Sequence, residues 1–151
     1  MRYFLPLLLA LIGGGVLIVQ PAIGLPSLST SATTISTDLD LDGEGSANTH
    51  IVKVADITFS TDNTAGLTLS VTSGSLTKAN GVDIDFQVTT VPNEAAMPTS
   101  GDFTVPSGNT YTYITAAAGT ENRDVYIRYT PNNLQDPGNY SAAIQLSAID
   151  N

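Results

Sequence analysis

Apolar and polar residues alternate in short runs along most of this chain, and turn signals interrupt the runs roughly every 8 to 12 residues. A side-chain period of two belongs to a strand with one buried face, so the pattern calls for sheets. Amphipathic helices have little room, because no extended window carries a helical stripe free of Gly, Pro or runs of Thr and Ser. Strands are expected at residues 51–59, 66–72, 82–91, 102–105, 110–115, 124–130 and 140–149. The clearest alternation comes late: Val125, Ile127 and Tyr129 oppose Tyr126 and Arg128, and Tyr140, Ala142, Ile144, Leu146 and Ala148 share one face. Turn residues separate the runs at Asp62-Asn63, Ser73-Gly74, Asn80-Gly81, Ser100-Gly101, Ser107-Gly108-Asn109 and Asp136-Pro137-Gly138. The expected class is all-β, a sandwich or barrel.

The first two dozen residues are different material. Met1 and Arg2 start the chain with positive charge, an apolar stretch follows from Phe4 to Val19, and Gln20-Pro21-Ala22-Ile23-Gly24 supplies a breaker and small residues. A stretch of about 16 residues is short for a bilayer core of roughly 30 Å, so residues 1–24 read as a signal peptide cleaved after Gly24. The protein is then secreted, to the periplasm or the outer cell surface, with no membrane attachment after cleavage. Residues 25–49 form a polar N-terminal extension or a first strand, and residues 50–151 the sandwich domain. The chain has no cysteine, so disulfides, thiolate metal sites and thiol nucleophiles are all excluded. Only 5 bases stand against 14 acids, for a net charge of -9, which argues against nucleic acid and anionic membrane surfaces as partners.

The strongest local signature is Leu134, Asp136, Gly138, Tyr140 and Ala142 at two-residue intervals. It resembles the corner between strands E and F of immunoglobulin-like domains, where a tyrosine hydrogen-bonds back across the turn. Ala142 stands where many such domains carry a cysteine. The fold is therefore expected to be an immunoglobulin-like β-sandwich of about seven strands. Its F-like strand is followed immediately by Asn151, so the last strand, G, is expected to be lacking. An uncovered edge beside F invites strand addition from a neighbour.

Three stretches carry a family resemblance: residues 66–75 (Gly66-Leu67-Thr68-Leu69-Ser70-Val71 and onward), residues 82–90, and the ending with Gly138-Asn139-Tyr140 before an alternating strand. Together they resemble spore coat protein U domains and the subunits of archaic chaperone-usher pili, over residues 57–151. The chain departs from that family in having no cysteine pair. The resemblance implies partners of the same kind, self-association or related surface subunits joined by strand addition, with an N-terminal strand donated to a neighbour.

Residues 33–42 fit such a strand. Ile35, Thr37, Leu39 and Leu41 project one way, and Ser36, Asp38, Asp40 and Asp42 the other. The strip either folds back as a first strand of its own domain or inserts into a neighbour. The same residues carry the one metal-like pattern, Asp38-Leu39-Asp40-Leu41-Asp42-Gly43, which matches the start of a calcium loop. Asp38, Asp40, Asp42 and Glu44 are the candidate calcium ligands. Thr49 occupies the position where the full loop wants a bidentate glutamate, and a strand would hold the carboxylates about 7 Å apart. Calcium and a solvated acidic strand face thus compete for the same residues.

Catalysis finds little support. His50 is the lone histidine, no G-x-S-x-G elbow accompanies it, and it reads as a polar surface residue before a strand. Asp83 and Asp85 read as a solvated outer face opposite Val82, Ile84, Phe86 and Val88. Tyr111, Tyr113, Tyr126 and Tyr129 offer a sugar-stacking platform or ordinary strand packing. Two functions follow: a non-enzymatic structural or adhesive cell-surface subunit assembling through strand edges, or a monomeric secreted binding module for calcium or carbohydrate.

Overall fold

Alternation becomes burial most cleanly in β3 (Leu67–Thr72), where Leu67, Leu69 and Val71 are fully buried and Thr68, Ser70 and Thr72 are half-exposed. The structure is a computed structural model that describes residues 24–34, 39–42, 47–136 and 138–151, so the expected signal peptide lies almost wholly outside the described residues. The other strands are β1 (Ser27–Ala32), β2 (His50–Thr61), β4 (Gly74–Leu76), β5 (Ile84–Pro92), β6 (Thr110–Ile114), β7 (Gly119–Tyr129) and β8 (Gln145–Asp150). Among the described residues there is no α-helix, and none is long and apolar enough to cross a membrane. The all-β expectation is borne out.

The strands form two antiparallel sheets, a curled five-stranded one ordered β1-β2-β7-β5-β4 and a three-stranded one ordered β6-β3-β8. They share one core. Ile57, Phe59, Phe86, Val88, Val125, Ile127 and Tyr129 enter it from the larger sheet, and Leu67, Leu69 and Val71 from the smaller. In β2 the inward set changes parity, from Val52 and Val54 to Ala55, Ile57 and Phe59. A strand without a bulge would turn one of those sets to solvent. The register against β7 accordingly shifts between Lys53 and Ala55, and this bulge keeps both sets inside.

Several boundaries differ from the sequence expectation. Residues 102–105 are not a strand: Ser100–Asp102 is a 3-10 turn, and Phe103 is buried where the loop crosses the larger sheet. The Gln87 side chain donates to the carbonyls of Phe103 and Val105, which satisfies backbone that a strand partner would otherwise serve. β7 starts five residues earlier than residue 124 and pairs along its whole length with β2. The first described strand is residues 27–32; of the strip expected at 33–42, residues 33, 34 and 39–42 belong to no strand, and Ile35, Ser36, Thr37 and Asp38 lie outside the described residues. Residues 140–144 stay outside β8: Ser141 makes an isolated bridge with Thr77, and Tyr140 and Ile144 pack against the core.

The corner before them is built as the tyrosine pattern requires. Tyr140 Oη donates to the Asp136 carbonyl at 3.1 Å and accepts from Gln135 Nε2 at 2.5 Å. Tyr140→Phe keeps the ring against the core and deletes both bonds. It should lower stability by about 1 kcal/mol in a urea melt, and an unchanged midpoint would show that the corner contributes nothing.

Candidate functional site

At one end the sheets are tied together, with Thr61 Oγ1 of β2 donating to Asp150 Oδ1 of β8 at 2.5 Å. Away from that tie they part around an apolar groove of about 750 Å³. Its floor is the inner face of the larger sheet, with Val54, Leu76, Phe86 and Ile127. Tyr140, Ile144 and Leu146 form the wall, on the segment that leads into β8, and Thr30 and Ala32 of β1 stand at the opposite side. β8 pairs with β3 on one side, and among the described residues no strand pairs with its other side. An edge strand presents unpaired N–H and C=O groups there.

Leu39 and Leu41 enter this groove from the chain's own N-terminal segment. Both are half-buried, line the groove and pack against the core. A polar cluster holds the segment. Tyr129 Oη donates to the Asp40 carbonyl at 2.9 Å, and the Asp42 amide donates to Asp40 Oδ1 at 2.9 Å. Asp42 Oδ2 accepts from the Asn48 amide at 2.7 Å, while Oδ1 faces Asn48 Nδ2 at 3.3 Å and His50 Nε2 at 3.1 Å. The His50 ring stacks on Tyr129 with centroids 5.2 Å apart. Asp42 has φ of +58°, a left-handed turn that aspartate tolerates better than most residues.

These contacts tune the acidities. The Asn48 amide, helped by the Asn48 and His50 side chains, holds the Asp42 carboxyl below the usual carboxylate value. Burial, reinforced by the nearby carboxylates of Asp40 and Asp42, pushes the Tyr129 phenol up to about 12. Tyr129 is 2% exposed, so its hydroxyl is a locked donor at neutral pH.

Of the four candidate calcium ligands, Asp38 and Glu44 lie outside the described residues. Asp40 and Asp42 do come together, joined by His50, with ligand atoms within 4.8 Å of one another. In this arrangement both Asp42 oxygens and the Asp40 carbonyl are occupied by protein donors. The described part of the acidic run is a hydrogen-bonded turn outside any strand, and it keeps the Asp40, Asp42 and His50 ligand atoms close enough together to hold one metal ion. His50 is half-buried at the start of β2 rather than loose on the surface. Its stacking on Tyr129 was not legible, because the two residues become neighbours only through the β2–β7 register, His50 opposite Tyr129.

The remaining expected positions scatter. Asp83 and Asp85 are exposed, and Asp85 accepts from Ser75 Oγ at 2.6 Å. The four tyrosines form no common platform: Tyr126 and Tyr129 are buried on opposite faces of β7, and Tyr111 and Tyr113 pack against the core. Two buried charges among the described residues, Arg123 and Asp124, carry no local sequence signal. Arg123 donates to Thr90 Oγ1 and its carbonyl, both at 2.9 Å, with its guanidinium 3.7 Å from the Tyr113 ring centre. Asp124, on the other face, has no well-formed hydrogen bond at Oδ1. The Lys53 ammonium 3.0 Å away balances its charge and also bridges to Asp56 at 2.6 Å.

No known family matches this chain, and no curated protein matches it either.

Proposed function

We propose that this protein is a secreted, non-enzymatic structural or adhesive subunit of a cell surface, built into a fibre, pilus or coat by β-strand addition. The observation that carries the reading is β8, an edge strand that continues directly from the wall of an apolar groove. A strand laid along that edge gains main-chain hydrogen bonds, and its alternate side chains gain apolar contacts in the groove.

The sheet orders support the immunoglobulin-like assignment. In that fold strands A, B, E and D make one sheet and C, F and G the other. Here β1, β2, β7 and β5 take the first four places, and β3 and β8 those of C and F. The place of G, beside β8, is where a neighbour's strand fits. The tyrosine corner ahead of β8 agrees with this assignment, as does the resemblance to spore coat protein U domains and archaic chaperone-usher pilins. Secretion follows from the residues 1–24 pattern, and localisation to the periplasm or outer surface follows with it.

Light scattering coupled to size exclusion, with electron microscopy, tests the proposal on the chain from Leu25 to Asn151. Ladders or fibres that grow with concentration are expected. A single monomeric species at every concentration would overturn it, and a monomer whose melting temperature rises with millimolar calcium would favour the binding-module alternative.

A further inference from the structure

We infer that residues 39–42 are an internal plug which covers part of the groove and obstructs an incoming strand, and that Tyr129, Asp42, Asn48 and His50 form the latch that holds it. The inference rests on the assembly reading, and adds to it a way of restraining assembly until the plug lets go.

Leu39 and Leu41 occupy the groove two residues apart, the spacing at which a strand would present side chains to it. Yet none of residues 39–42 belongs to a strand. The plug therefore covers part of the apolar groove, of which about 750 Å³ stays open, without making a ladder along the sheet. What fixes it is side-chain chemistry: the phenol on the Asp40 carbonyl, and the Asp42 carboxylate on Asn48 and His50. An incoming strand gains the same apolar contacts plus main-chain bonds to β8, so it outcompetes the plug once the latch is weakened. A second copy is the occupant the structure favours. Its own residues 39–42 carry the two leucines that this groove already accepts.

The latch is also strongly local. Asp42 turns through the left-handed region and takes both its partners from residues 48 and 50, close in sequence. Removing its carboxylate releases the turn while leaving every groove residue in place.

The test uses the chain from Leu25 to Asn151 and a fluorescent peptide with the sequence of residues 33–42, read by anisotropy. Asp42→Ala and Leu39→Ser/Leu41→Ser are expected to bind the peptide at least 10-fold more tightly than the unaltered chain; Asp42→Ala, which keeps the two leucines a second copy would donate, should also assemble faster by light scattering, whereas the double serine variant should not. Tyr129→Phe, which removes one hydroxyl and keeps the ring, serves as a third variant should either of the others fail to fold; far-ultraviolet circular dichroism checks each. If the unaltered chain binds the peptide and every folded variant binds it equally, the plug inference is overturned and the strand-addition reading stands. If neither the unaltered chain nor any unlatched variant binds or assembles, the strand-addition reading falls and takes the plug with it.

Discussion

Gly66→Ala is expected to destabilise the fold by about 3 kcal/mol, combining backbone strain with a collision. Gly66 lies at φ of +84°, a region that costs an alanine about 1 to 2 kcal/mol. A Cβ there would also lie 2.2 Å from the Thr115 carbonyl oxygen, which is backbone and has little freedom to retreat. Thr115 is fixed on its other side, where its amide donates to the Leu67 carbonyl and its hydroxyl accepts from the Leu67 amide. The damage reaches the proposed assembly edge as well, since Gly66 accepts from the Asn151 amide at the end of β8. Gly108→Ala provides the comparison: its φ is +81°, but a Cβ meets nothing within 4 Å. Guanidinium unfolding of the two variants separates the effects. Gly108→Ala should lose only about 1 kcal/mol, and equal losses would remove the collision from the explanation.

Stability should fall by about 3 kcal/mol between pH 10 and pH 12 on account of Tyr129 alone. Its phenol titrates near 10.0 in the unfolded chain and at about 12 in the fold, chiefly because burial opposes the phenolate and secondarily because Asp40 and Asp42 repel it. Within that window the unfolded state gives up the proton first, so each rise in pH favours unfolding; below pH 10 the contribution is fully present. Ionisation also removes the donor that holds the Asp40 carbonyl, so alkali should loosen the plug before the core. Lys53, whose ammonium is held charged to higher pH by its bond to Asp56, loses stabilisation in the same direction. That loss is common to the unaltered chain and to Tyr129→Phe and cancels between them. Denaturant titrations at successive pH values should show a steeper alkaline limb for the unaltered chain, and parallel limbs would contradict the assignment. At the acid end the sign reverses: Asp42 stabilises the turn above the ordinary carboxylate value, and this is lost as pH falls through its lowered one.

The strands most legible in the sequence are those whose two faces meet different media. β3, β5 and β6 lie where alternation placed them, because each has one side in the core. β1 gave no such signal: its Ser-Leu-Ser-Thr-Ser-Ala run is an edge strand with only Leu28 half-buried. β4 is three residues long, too short for a period to register. The first half of β7 is polar because Asn122 faces outward and the positions of inward parity are Glu121, half-buried, and Arg123, a charge made tolerable by Thr90 and Tyr113 from other strands. Such partners are contributed by distant sequence, and local reading does not find them. The parity change in β2 is legible in Val52, Val54, Ile57 and Phe59, and it is the signature of the bulge between Lys53 and Ala55. At the site, the sequence singled out the acidic run and the alternating leucines as competing uses of one segment. The fold makes them complementary: the leucines enter the groove and two of the acids fasten them there.

Hydrogen exchange on β8 tests strand addition most directly. In the isolated subunit the amides of residues 144–150 that point away from β3 should exchange quickly, since no described strand pairs with that side. On assembly those same amides should become protected by an order of magnitude or more, while the outer strand β6 exchanges as before. Assembly that leaves β8 exchange unchanged, or that protects β6 instead, would contradict the account.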